Sequence, residues 1–231
     1  MRKLIALGLT FLLIGCPSEN STVSTPTDTR MINILALGDS YTKGESVCST
    51  CNFPSQLRDS INGRRKNTLT TARIIAQTGW TTYNLKNGIN QANVPNDYDL
   101  VTLLIGVNNQ YQNQPFSLYQ TEFPELVLTA IQKAKGDKTK VIVVSIPDYA
   151  FTPYGGGNPA ITNGLLPYNQ FAADYCSQQQ ITFVNITDIT QLGLQQPNLV
   201  ASDGLHPSTL AYTKFVERIL PVALQKLGLT N

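Results

Sequence analysis

Five short apolar runs, each ended by a turn or separated from the next by helical spacing, constrain this chain more than any other feature. They are Met31–Leu37 before Gly38, Arg73–Gln77 before Gly79, Leu100–Ile105 before Gly106, Val141–Ile146 before Pro147, and Ile181–Ile186. Runs without polar alternation are buried on both faces, as a parallel sheet covered by helices demands. Helices are predicted over Phe53–Asn62 (closed by Gly63), Thr81–Gln91, Phe116–Ala134, Leu166–Gln178 and Ser208–Leu227. Pro124 is expected to kink or restart the third of these, and Asp148–Gly164 reads as loop. The predicted fold class is one α/β domain over 31–231, a three-layer α/β/α sandwich on a five-stranded parallel sheet. No internal repeat interrupts it. Ligands of such open sheets bind beyond the C-terminal strand ends, where strand order reverses.

Ahead of this domain, residues 1–16 read MRKLIALGLTFLLIGC. Two early positive charges, a short apolar run and a small residue describe a secretory signal. The run from Leu4 to Ile14 falls short of the ~20 residues a membrane span needs, and it has no polar face for a core helix. Leu13-Ile14-Gly15-Cys16 also resembles the bacterial lipobox, which predicts cleavage before Cys16 and its lipidation; plain secretion is the alternative. Several acyl chains on Cys16 would anchor the protein stably in a membrane. Pro17 at the next position resembles lipoproteins of the outer membrane or cell surface, with a periplasm-facing location also compatible. Residues 17–30 are rich in Ser, Thr, Pro and Asn without apolar periodicity, and read as a flexible tether.

The formal charge of +2 rests on Arg2 and Lys3; without them basic and acidic side chains balance. A neutral body without a Lys/Arg cluster argues against nucleic-acid binding. His206 is the one histidine, which excludes His-rich metal chemistry.

Three strand-end or loop segments carry reactive chemistry. The first strand runs into Gly38-Asp39-Ser40-Tyr41-Thr42, where a serine past a buried strand suits an exposed nucleophile or, more plainly, a helix cap. The third ends in Gly106-Val107-Asn108-Asn109, where an asparagine amide suits an oxyanion donor or a turn. The last loop reads Asp203-Gly204-Leu205-His206-Pro207. A carboxylate three residues before an imidazole is able to curl back to Nδ1, leaving Nε2 free as a base. Pro207 is expected to open the last helix.

Taken in order, GDS-Y-T around Ser40, Gly79 after the second strand, G-V-N-N around Asn108 and D-G-L-H around His206 resemble the SGNH/GDSL hydrolase family. The resemblance spans Gly38 to His206 and implies a flavodoxin-like sheet with the first and third strands adjacent. It makes Ser40 the nucleophile, His206 its general base and Asp203 the orienting acid. The oxyanion hole would combine the N–H groups of Ser40 and Gly79 with the Asn108 side chain, Gly88 being a competitor for the Gly79 block. Tyr41 replaces the family's usual Leu, and Asn109 its common Asp; both are expected to shape the substrate pocket. Among the aromatics, Tyr111, Phe151 and Tyr154 follow strand ends on the catalytic side and are further substrate-contact candidates.

Cys48-Ser49-Thr50-Cys51 reads as a redox pair, free thiols or a local disulfide; a disulfide at the mouth of the cleft is the expectation. Cys48, Cys51, Cys176 and His206 would total four zinc ligands, but the resemblance gives His206 to the serine, so neither metal nor cofactor is expected. Cys176 reads as a buried helix residue. The implied activity is hydrolysis of carboxylic esters, of acyl or lysophospholipid type, with carbohydrate O-acetyl esters as the alternative. Outside enzymes, a non-catalytic carbohydrate- or lipid-binding lipoprotein is the competing class.

Overall fold

A computed structural model describes residues 29–64 and 67–230. The signal segment, Cys16 and most of the tether lie outside the described residues. The strands are β1 (Arg30–Asp39), β2 (Thr68–Gln77), β3 (Leu100–Leu104), β4 (Val141–Val144) and β5 (Thr182–Val184). Between and after them come α1 (Ser40–Lys43), α2 (Phe53–Arg64), α3 (Thr82–Ala92), α4 (Val107–Tyr111), α5 (Phe116–Lys133), α6 (Pro159–Gln179), α7 (Thr187–Thr190) and α8 (Thr209–Lys226).

All strand pairs are parallel, and the order is β2-β1-β3-β4-β5. The chain therefore reverses its direction of travel between β1 and β3, and the crevice beyond their C-terminal ends is the switch point. β3 and β4 are buried along their whole length. They occupy interior positions of the sheet, which is why their sequences show no alternation. Edge strand β2 alternates instead, with Leu69 and other side chains exposed. That alternation hides its first half from an apolar-run reading, and it extends well N-terminal of Arg73.

The helices pack in two groups, α2 against α8, and α5 between α3 and α6. α8 buries Tyr212, Phe215, Ile219 and Ala223, the apolar stripe predicted by its spacing. Between α5 and α6, rings of Phe116, Tyr119, Phe123, Tyr168 and Phe171 lie 4.8–6.2 Å apart. Tyr119 is thus core, and Cys176 is buried in α6 with burial pushing its thiol up to about 12.

Several boundaries differ from expectation. α5 runs through Pro124 without interruption, and α2 continues past Gly63 to Arg64. α6 begins at Pro159, seven residues ahead of Leu166, because Asn158 caps it through Ala160 N–H and proline suits the first turn. Pro207 does not open α8: Ser208 is the cap, accepting from Ala211 N–H, while Pro207 pairs with Val200 in an isolated bridge. Arg30, assigned to the tether from sequence, starts β1, and its guanidinium donates to the Leu227 carbonyl.

Candidate active site

β1 delivers the chain to Gly38, where a Cβ would sit 2.1 Å from Thr42 Oγ1 and 2.4 Å from the Leu104 carbonyl oxygen. Only glycine allows that approach, which lets the backbone fold at once into α1. Asp39 caps α1 by accepting from Tyr41 N–H at 3.0 Å, and Gly44 ends it in the left-handed region. Ser40 is consequently fixed at the first helical position and almost wholly buried. Asp39 itself is fully buried with one carboxylate oxygen unpartnered, and burial pushes its carboxyl up to about 7.

The loop before α8 brings Asp203 and His206 to the same point. His206 Nε2 lies 2.9 Å from Ser40 Oγ, and His206 Nδ1 lies 2.6 Å from Asp203 Oδ2. An ionised carboxylate only accepts, so Nδ1 carries the proton and Nε2 accepts from the Ser40 hydroxyl. The other Asp203 oxygen, Oδ1, accepts from Leu205 N–H at 2.9 Å and His206 N–H at 3.0 Å. Partial burial alone would raise the Asp203 carboxyl. The hydrogen bonds from Ser46, from both backbone N–H groups and from the imidazole outweigh it, holding the group well below the usual carboxylate range. Tyr41 packs against the imidazole with ring centroids 5.2 Å apart, and the His206 carbonyl accepts from Ala201 N–H.

The second and third strand ends close the site. Gly79 has φ +81°, a conformation that favours glycine, and lies at the cavity wall. Gly88 lies instead inside α3, packed under the Trp80 ring. Asn108 Nδ2 donates to the Trp80 carbonyl at 3.0 Å, and Gln112 Nε2 to the Gly79 carbonyl at 2.8 Å. The segments after β2 and β3 are thereby tied side by side.

Ser40, Tyr41, Gly79, Asn108, Tyr111 and His206, with Thr78, Val107, Tyr149 and Leu205, line one cavity of about 160 Å³. A larger hollow of about 640 Å³ between α2 and α8 contains none of these reactive groups. Not every expected substrate contact faces the cavity. Asn109 is fully buried and turned to Thr82, so its amide is structural. Phe151 sits in the 3₁₀ turn Tyr149–Phe151 and does not line the cavity, because that turn points Tyr149 inward instead. Tyr154 lies outside the lining, and its hydroxyl meets that of Tyr111 at 2.7 Å. Ser46 and Gln112 carry no signal in the sequence. Ser46 comes into contact across 157 residues, and Gln112 is recognisable only once Asn108 is placed on α4.

Cys48 and Cys51 form the expected disulfide. The four-ligand zinc set is therefore not assembled: two of its thiols are consumed, Cys176 is buried in α6, and His206 is bonded to Ser40 and Asp203. Among the described residues, no helix is long and apolar enough to cross a membrane.

An all-parallel 2-1-3-4-5 sheet with a Ser–His–Asp relay in its switch-point crevice defines a hydrolytic enzyme of the α/β class. More narrowly, the chain belongs to the GDSL-like lipase/acylhydrolase family, whose model matches residues 36–214, and is an SGNH-family esterase. A search of curated protein sequences gives no match. Solved structures share the fold at low identity. A lipolytic G-D-S-L family protein from Veillonella parvula is 17% identical, with TM-score 0.62 over 83% of this chain and 97% of its own. The acetylxylan esterase Axe2 from Geobacillus stearothermophilus is 16% identical, with TM-score 0.64 over 87% and 96%. The psychrotrophic esterase EstA from Pseudoalteromonas, solved inhibited by monoethylphosphonate, is 17% identical, with TM-score 0.60 over 85% and 98%.

Proposed function

We propose that this esterase hydrolyses short-chain carboxylic esters through an acyl-enzyme on Ser40. The observation that carries this reading is the continuous relay from Ser40 Oγ through His206 to Asp203, at 2.9 and 2.6 Å, beside a small cavity. Ser40 Oγ attacks the ester carbonyl and its proton passes to His206 Nε2. The oxyanion forms against the N–H groups of Ser40 and Gly79 and the Asn108 amide. His206 then protonates the departing alkoxide, and water repeats the sequence in reverse to release the acid. Asp203 stays ionised throughout and stabilises the imidazolium.

The cavity supports a short acyl group: about 160 Å³ is roughly half the smallest usual ligand pocket of ~300 Å³. A lysophospholipid-type ester would have to lay its chain across the surface. A carbohydrate O-acetyl ester is the second reading, favoured by the exposed, hydrogen-bonded hydroxyls of Tyr111 and Tyr154 at the cavity edge. Axe2, described as an acetylxylan esterase, is a relative in fold. The intact relay weighs against the non-catalytic lipoprotein.

Hydrolysis of p-nitrophenyl acetate, butyrate and longer esters, alongside acetylated xylan, tests the assignment. The reading expects acetate and butyrate to be preferred and Ser40→Ala to be inactive. Undiminished turnover by Ser40→Ala sinks it. We further propose lipidation at Cys16 and anchoring at the outer membrane or cell surface. Its support is the sequence Leu13-Ile14-Gly15-Cys16 ahead of a Ser/Thr-rich tether. Cys16→Ser should abolish acyl labelling and membrane fractionation; unchanged labelling contradicts the anchor.

A further inference from the structure

Ser46 adopts φ +64°, in the left-handed region that disfavours an L side chain and that glycine enters freely. Its hydroxyl donates to Asp203 Oδ2 at 2.6 Å, the same oxygen that His206 Nδ1 meets at 2.6 Å. A strained serine that spends its hydroxyl on the acid of the relay is an outlier with a consequence for function. The Asp203 side chain is 29% exposed, so burial does not fix it; hydrogen bonds must. Two backbone N–H groups hold Oδ1, and the Ser46 hydroxyl is a donor to Oδ2 beside the imidazole.

The loop carrying Ser46 is itself braced. Cys48 and Cys51 are bridged, and Asn52 Nδ2 donates to the carbonyls of Lys43 and Ser49 at 3.1 and 3.0 Å. Glu45, next to Ser46, pairs with Lys43 at 3.0 Å and accepts from Thr78 Oγ1, adjacent to Gly79. One short loop therefore touches the acid on one side and the Gly79 segment on the other.

We propose that Ser46 is a positioning residue of this active site, acting through Asp203 to hold the His206 imidazole in line with Ser40. The proposal rests on the Ser40 acyl-enzyme reading. Without the Ser46 hydroxyl the carboxylate loses a donor, becomes more basic and stabilises the imidazolium more strongly. Held by one donor fewer, the carboxylate turns more freely and the aim of the imidazole at Ser40 loosens.

The test is Ser46→Gly, which removes the hydroxyl and suits the backbone, with Ser46→Asn restoring a donor in a residue that tolerates this conformation. Measured on p-nitrophenyl acetate, Ser46→Gly should lower kcat about tenfold, the scale of a charge-assisted bond partly screened by water. KM should stay within about twofold, as expected for a residue that does not bind substrate. The melting temperature should not fall, and Ser46→Asn should recover part of kcat. Wild-type kcat in Ser46→Gly overturns the proposal. So does a loss of kcat that merely follows a loss of melting temperature. Ser40→Ala is measured in parallel: if it stays active, the acyl-enzyme reading itself has failed; if it is silent while Ser46→Gly matches wild type, only the role of Ser46 has.

Discussion

Asn109 holds Thr82 with both ends of its carboxamide: Oδ1 accepts from Thr82 N–H at 3.0 Å and Nδ2 donates to Thr82 Oγ1 at 2.7 Å. Both residues are fully buried. The bond joins the segment after β3 to the start of α3, and so fixes Asn108 relative to Gly79 from behind the cavity.

Asn109→Ala would leave the buried Thr82 N–H without its acceptor, while the Thr82 hydroxyl would still donate to the Glu122 carboxylate. The expected loss is about 1–3 kcal/mol of stability, read as a lower urea midpoint at unchanged m. An unchanged midpoint would show that Thr82 finds another acceptor.

Asn108→Ala addresses the cavity side of the same turn. One Asn108 N–H is bonded to the Trp80 carbonyl, and its amide carries a second. If that donor serves the developing oxyanion, kcat should drop about a hundredfold with little change in KM. Asn108→Asp should be worse, because a carboxylate repels the oxyanion. A raised KM at nearly unchanged kcat would make Asn108 a substrate contact instead.

Asp39 gives the fold a pH dependence of definite sign. Burial raises its carboxyl from 3.8 to about 7 in the native state, so the native state holds a proton that the unfolded chain has released. The contribution is favourable below about pH 4 and is lost as pH rises towards 7, amounting to a few kcal/mol. Asp203, held low, titrates on the acid side of this window. Asp39→Asn keeps an acceptor for Tyr41 N–H and removes the titration. Melting temperature measured from pH 4 to 8 should decline less in the variant than in the wild type. Parallel profiles would mean that Asp39 is ionised without cost.

The legible part of this structure is the part written in local pattern. β3 and β4 are interior strands, so their runs are uniformly apolar, and the first and third strand ends carry Ser40 and Asn108 where the sheet order requires. Edge strand β2 was half hidden by alternation. The short helices α1, α4 and α7 last little more than a turn and leave no periodicity to read. Asn109 and Phe151 turn away from the cavity for a common reason. Adjacent residues on a turn or short helix point in different directions, so nearness to a reactive residue in sequence does not put a side chain in its cavity. Ser46 depends on a backbone angle and a contact between distant segments, neither of which local pattern encodes.

The Cys48–Cys51 bridge closes so short a loop that chain entropy limits its effect on stability to about 2 kcal/mol. Its larger expected effect is on activity, through the loop that bears Ser46. The Cys48→Ser/Cys51→Ser double variant should fold, with a modestly lower melting temperature and a severalfold lower kcat on p-nitrophenyl acetate. Wild-type kcat in that variant would confine the bridge to a structural role.

Ser40 is expected to carry the acyl group during turnover. Intact-protein mass spectrometry after rapid acid quenching of wild-type enzyme with p-nitrophenyl acetate tests it most directly. A species heavier by one acetyl group is expected, mapped by peptide digestion to Ser40 and missing from Ser40→Ala. Acetylation mapped to another residue in the wild type, with turnover preserved in Ser40→Ala, would contradict it.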